Sequence, residues 1–283
     1  MGRRVRDRSE PEEELSPVPG VDLLADADRP NSWFLLVEGT PQSHVDLADP
    51  SYLDFSYVRR IAHAADLVAP EGEPIEALHL GAGALTVARY VAHTRPGSTQ
   101  RAVDVDAALV EMVRRRLPWD RRARLRVGID DARTWIGARH DACADLIVSD
   151  VFSGARTPAR LTSTEFYAEA ARVLRPDGLL VVNVGDGYAL KHTRAQVATV
   201  RSVLPHAVLT AEPGILRGRR FGNLVIVAGH RPLPEEELGR RAHRDTEMAR
   251  MVAGEDLDRF VSGHAPVHDA DAVDSPEPPV DLF

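Results

Sequence analysis

The chain has 283 residues and 43% hydrophobic content, enough for one large core or two small ones. Its net charge of −8 is carried by the ends: residues 1–30 sum to −3, residues 231–283 to −7, and the stretch between them to +2. This distribution speaks against a nucleic-acid-binding face. No apolar run reaches the roughly 18–20 residues that span a bilayer, and the single cysteine, Cys143, excludes an internal disulfide and a thiolate-rich metal site.

Residues 1–30, dense in charge, Pro and Gly, read as a disordered tail. No apolar segment follows its basic start, so a secretory signal is not expected and a cytoplasmic location is. Residues 31–50 read as a short β-hairpin: Trp33 to Val37, a turn at Glu38-Gly39-Thr40-Pro41, and a returning strand from Gln42 to Leu47. Tyr52 to Val68 has apolar residues at helical spacing.

From residue 75 strands and helices alternate. Strands are expected at Ile75–Leu80, Arg101–Val105, Arg124–Val127, Asp145–Ser149 and Leu179–Val184. Helices are expected at Leu85–His93, Ala107–Leu117, Ala132–Ile136, Thr164–Leu174 and Ala189–Leu204. This rhythm predicts an α/β, Rossmann-like, doubly wound and mostly parallel sheet over residues 51–230. Ala207–Thr210 and Asn223–Ala228 lie too close for a crossover and predict a closing antiparallel hairpin. Residues 231–283 read as a polar helical segment followed, from His264, by a loose acidic tail.

The sheet's chemistry gathers at its strand ends. Leu78-His79-Leu80-Gly81-Ala82-Gly83 carries a strand into a glycine turn, and Asp104 ends the next strand. Glycines let the backbone approach a nucleoside, and a carboxylate so placed accepts its ribose hydroxyls. Gly-x-Gly alone also occurs in ordinary strand–turn–helix links; the order of strand, turn, helix, strand and acid favours the ligand. A third glycine, which dinucleotide enzymes use, would fall at Thr86, so the expected ligand is an adenosine without a diphosphate, such as S-adenosylmethionine. Asp131 either accepts from an adenine amino group or N-caps the helix that begins at Ala132. Asp150 ends the fourth strand, and ligands bind beyond such ends. Eleven histidines form no close ligand cluster, so no metal is expected.

From about Trp33 to Gly229 these residues resemble the polyamine aminopropyltransferase, or spermidine synthase-like, family. The resemblance rests on Glu38-Gly39-Thr40-Pro41-Gln42, Asp54-Phe55-Ser56-Tyr57, Gly81-Ala82-Gly83, Asp104, Asp131-Ala132, Leu146 to Asp150, Leu161 to Tyr167, and Arg175-Pro176-Asp177-Gly178. It implies a class I methyltransferase-like fold and decarboxylated S-adenosylmethionine as co-substrate. It further implies Gln42, Gly81, Gly83, Asp104, Asp131 and Ala132 as nucleoside contacts, Tyr57 in an amine channel, and Asp150 as the catalytic base. The partner would be a small-molecule amine, and the resemblance allows a homodimer.

Three positions depart from the family pattern. Ala84 replaces an aspartate that pairs with the co-substrate ammonium, Ser153 replaces a second aspartate after Asp150, and a tyrosine expected near 215 is missing from Pro213-Gly214-Ile215-Leu216. Two further readings stay open: a methyltransferase that uses intact S-adenosylmethionine on a small molecule or protein, and a nucleoside-binding protein without catalysis.

Overall fold

The computed structural model describes residues 18–279. An N-terminal antiparallel sheet of β1 (Val21–Ala25), β2 (Ser32–Val37) and β3 (Thr40–Asp46) precedes the main domain. The expected hairpin is thus three-stranded. Of the expected disordered tail, residues 1–17 lie outside the described residues, while 18–30 contain β1. Val21 and Leu23 of β1 pack with Leu35 and Val45, apolar anchors that the surrounding Asp and Pro residues masked in the sequence.

The main sheet is built from β4 (Glu76–Leu80), β5 (Thr99–Asp104), β6 (Arg124–Ile129), β7 (Ala144–Ser149), β8 (Leu174–Asp186), β9 (His206–Ala211), β10 (Gly222–Gly229) and β11 (Arg250–Val252). Its order is β11-β9-β10-β8-β7-β4-β5-β6. The pairs among β4 to β8 are parallel, and β10, β9 and β11 add antiparallel strands. The mostly parallel sheet and the closing hairpin follow the sequence reading. β8 begins at Leu174, five residues before the expected strand, because Leu174 already pairs with Ala144 across an irregularity in register.

Period-two alternation sends Leu78, Leu80 and Ile147 to one layer and Ala77, Leu146 and Val148 to the other. The first layer packs under α4 (Ala132–Gly137), α5 (Thr164–Val173), α6 (Lys191–Arg201) and α9 (Gly254–Val261). The second packs under α1 (Ser56–Leu67), α2 (Thr86–Thr94) and α8 (Glu235–Arg244). In α1, Val58, Ile61, Ala62 and Ala65 form the buried stripe expected of an amphipathic helix. Strands buried on both faces are why the sequence there reads as continuous apolar runs.

The C-terminal segment, expected to be loose, is fastened across the loop that follows β7. The Thr164 amide donates to the Val267 carbonyl at 2.8 Å, and Arg133 makes a paired contact with Asp269. Ser275 is fully buried; its Oγ accepts from the Thr157 amide at 2.8 Å, and its own amide donates to the Thr157 carbonyl at 2.9 Å. These are backbone and side-chain hydrogen bonds, which leave no apolar periodicity to read. Among the described residues, no helix is long and apolar enough to cross a membrane.

Candidate active site

The carboxyl ends of β4, β5, β6 and β7 open into a cavity of about 760 Å³, walled on one side by β3 and the start of α1. It brings together all eight residues singled out in the sequence: Gln42, Tyr57, Gly81, Gly83, Asp104, Asp131, Ala132 and Asp150.

The glycine turn is dictated by crowding. Gly81 has φ +86°, and a Cβ there would strike the Asp150 carbonyl carbon and oxygen. Gly83 has φ +47°, and a Cβ there would come within 2.9 Å of Ser43 Oγ. Asp104 holds this turn: its Oδ2 accepts from the amides of Ala82 at 3.0 Å and Gly83 at 3.3 Å. Its Oδ1 accepts from the Asp106 amide at 3.0 Å and keeps one lone pair for a ligand hydroxyl.

Asp131 does cap α4, accepting from the Thr134 amide at 2.9 Å on the same Oδ1 that pairs with Arg160 at 2.7 Å. Its Oδ2 accepts from no protein donor among the described residues, so the cap and a ligand contact are compatible. Arg160 comes from the loop after β7 and ties that loop to the cavity wall. The cradle therefore fits an adenosine: backbone can approach at the glycines, and each of the two acids keeps acceptor capacity.

Asp150 is partly buried at the end of β7, its amide donating to the Leu80 carbonyl at 2.9 Å. Burial pushes its carboxyl up to about 6, against the effect of the Asn183 amide, which donates to Oδ1 at 2.8 Å. Tyr57 is raised well above an ordinary phenol by burial and by the nearby Asp150 charge, so it stays protonated. Its hydroxyl donates to the Gln42 carbonyl at 3.4 Å, joining the α1 and β3 walls. His79, inside β4, is held near 4 by burial and donates through Nε2 to Gln100 Oε1 at 2.9 Å, a neutral core histidine.

Sequence reasoning missed Asn183, Phe152, Phe221 and Glu212, all of which line the cavity. Asn183 had a signal, a polar residue in the apolar run Leu179–Val184. It is 3% exposed, and its Oδ1 has no hydrogen-bond partner. Arg220, with Arg217 and Arg219, reads in the sequence as a basic hairpin tip, either a solvated turn or a contact for an anion or partner; α7 (Pro213–Leu216) and the start of β10 bring it to the cavity wall. Among the described residues, no group of three or more His, Cys, Asp or Glu is placed to hold a metal ion.

Comparison with known proteins places the chain in a family. The structure is similar to that of a probable spermidine synthase from Corynebacterium glutamicum ATCC 13032, with TM-score 0.82, 31% identity, and coverage of 92% of this chain and 95% of that one. A polyamine aminopropyltransferase of Mycobacterium tuberculosis (strain ATCC 25618 / H37Rv) is 40% identical over 123 residues, 40% of this chain and 23% of that protein. An N-terminal histidine N-methyltransferase of Emericella nidulans is 31% identical over 129 residues, 40% of this chain and 23% of that protein. The matches thus span about a quarter of these two curated relatives. A sequence model described as the spermine/spermidine synthase domain matches residues 54–208, more than half of the chain. On this match, and on the shared fold, the chain belongs to the spermine/spermidine synthase family.

Proposed function

We propose that the protein is an aminopropyltransferase that moves the aminopropyl group of decarboxylated S-adenosylmethionine to a small amine, with Asp150 as the base. Residues 51–230 carry the nucleoside site, and Gln42 of the N-terminal sheet closes it. The observation that carries this reading is the Asp150 carboxyl at the end of β7, raised to about 6 and opening on the same cavity as Asp104 and Asp131.

An alkylamine is an ammonium near neutral pH, with a pKa of about 10.4 in water, and an ammonium cannot attack. Asp150 first holds the ammonium and then accepts its proton. The freed nitrogen lone pair forms a bond to the aminopropyl carbon beside the sulfonium. The carbon–sulfur bond breaks with its electron pair going to sulfur, which leaves as the neutral thioether of methylthioadenosine. A carboxyl raised to about 6 is a better proton acceptor than an ordinary aspartate and is still ionised at neutral pH. Asp104 would take the ribose, and Asp131 with Ala132 the adenine.

A second reading, methyl transfer from intact S-adenosylmethionine, is favoured by one residue. Ala84 is 1% exposed beside the glycine turn and offers no carboxylate to an ammonium or against a carboxylate. Calorimetry separates the two. Tighter binding of the decarboxylated ligand supports aminopropyl transfer, and tighter binding of the intact ligand supports methyl transfer. Failure of both ligands and of methylthioadenosine to bind removes the nucleoside reading.

A further inference from the structure

The cavity wall beside Asp131 depends on a distant part of the chain. The loop after β7 supplies Phe152, Ser153, Pro158 and Arg160 to that wall. It has little regular structure of its own, one bridge between Ser153 and Arg156 and a single 3-10 turn at Ala159–Leu161. Its polar groups are met instead by residues 115 to 119 positions further along. Ser275 bonds both the amide and the carbonyl of Thr157, and the Ala159 amide donates to Asp274 Oδ1 at 2.8 Å. Arg156 Nε donates to the Ser275 carbonyl at 2.8 Å. The segment then reaches the cavity itself at Pro278.

The same segment is joined to Asp131 through two arginines. Asp269 holds Arg133 with both carboxylate oxygens, each at 2.6 Å. Arg133 Nη1 also donates to the Arg160 carbonyl at 3.0 Å, and the Arg160 guanidinium donates to Asp131 Oδ1 at 2.7 Å. Asp269 is itself placed, its amide donating to Glu165 Oε2 at 3.0 Å. Arg133, and after it Ser163, hold the Asp269 carboxyl down at about 2, so the pair is charged at neutral pH. A lone exposed ion pair contributes little, but a two-point arginine–carboxylate contact inside a network fixes geometry. For Asp131 the result is two contacts on Oδ1, from the Thr134 amide and from Arg160. The cap alone would let the carboxylate pivot about one bond. The second contact settles the direction of Oδ2, which accepts from no protein donor among the described residues.

We propose that Asp269, acting through Arg133 and Arg160, is a positioning residue that fixes the acceptor oxygen of Asp131 and so sets the preference of the nucleoside site for an amino-bearing purine over an oxo-bearing one. This rests on the nucleoside reading above and gives the C-terminal segment a part in it. An amino group on the base donates to Oδ2, whereas an oxo group in its place sets oxygen against carboxylate. Only a carboxylate held in position enforces that difference.

The test is isothermal titration of the full chain with methylthioadenosine and with methylthioinosine, whose base carries an oxo group in place of the amino group. The wild type is expected to favour methylthioadenosine by about tenfold or more, the scale of one hydrogen bond to a charged group. Asp269→Ala is expected to narrow that ratio by about threefold, within the range an exposed ion pair supplies. Arg160→Ala should narrow it at least as far, and Asp269→Asn, which keeps the side chain's shape and one acceptor, should fall between Asp269→Ala and the wild type. Loosening without a positioning role weakens both ligands alike, so a ratio that Asp269→Ala and Arg160→Ala leave unmoved overturns the inference. Equal binding of the two ligands by the wild type also overturns it, while leaving nucleoside binding standing. Failure of the wild type to bind either ligand overturns the nucleoside reading and the inference together.

Discussion

The Asp150 carbonyl occupies the space that any side chain at Gly81 would need. The turn proposed to admit the nucleoside and the residue proposed to deprotonate the amine are therefore one packed unit. The Asp150 amide bonds Leu80, and the Gly81 amide bonds the Val103 carbonyl at 3.0 Å, so three neighbouring strands meet at this point.

Gly81→Ala tests that coupling. A left-handed backbone at a non-glycine residue costs about 1–3 kcal/mol, before any displacement of Asp150 is counted. The expected variant has a lower Tm, and its kcat falls further than its nucleoside affinity. Wild-type kcat in a folded Gly81→Ala protein would show that Asp150 tolerates being moved.

In the proposed reaction, the raised Asp150 carboxyl sets the acid limb. Protonated below about 6, it can neither hold an ammonium nor take a proton, so activity disappears as pH falls through that value. A plot of kcat/KM against pH is expected to break near 6. A break near 4 would assign the limb to an ordinary carboxylate. Asp150→Asn is expected to lower kcat by about 10²–10⁴-fold while leaving methylthioadenosine affinity largely intact.

Asp104 ties the Ala82 and Gly83 amides, and in the proposed site it would also offer a lone pair to ribose. Asp104→Ala is expected to weaken nucleoside binding by about 1–3 kcal/mol or more, the range for a buried hydrogen bond removed. Asp104→Asn, which keeps one acceptor for the turn, should lose less. Isothermal titration with methylthioadenosine reads both, and unchanged dissociation constants would remove Asp104 from the ribose site.

Ser275 holds the loop between Val151 and Ser163 from the far end of the chain. Ser275→Ala leaves the part-buried Thr157 amide without its acceptor, a loss of about 0.5–1.5 kcal/mol concentrated in that loop. Hydrogen exchange at residues 151–163 is expected to accelerate while exchange in β4 and β7 stays slow. Uniform exchange across both would show that the C-terminal segment does not restrain the loop.

Much of this was legible from periodicity. Alternating apolar strands and helices give the mostly parallel main sheet with helices on both faces, and the short Pro-Gly-rich spacing between Ala207 and Ala228 gives the antiparallel hairpin. Six of the eight expected site residues meet because strand ends of a parallel sheet share one edge; Gln42 and Tyr57 join them from β3 and α1. What escaped lacks a periodic signature. β1 is mostly exposed, with two apolar anchors, and the C-terminal segment is fixed by hydrogen bonds at Val267, Asp269 and Ser275. Glu212 and Arg220 reach the cavity only because α7 turns the hairpin back, a relation between residues that no local pattern encodes.

The central claim is that Asp150 drives transfer of an aminopropyl group to an amine. Its most direct measurement is the stoichiometry of methylthioadenosine released per aminopropylated amine formed from decarboxylated S-adenosylmethionine, for the wild-type protein and Asp150→Asn. The account expects equal amounts of the two products, made by the wild type and all but lost in the variant. Release of S-adenosylhomocysteine from the intact ligand, with no aminopropylated product from the decarboxylated one, would contradict it.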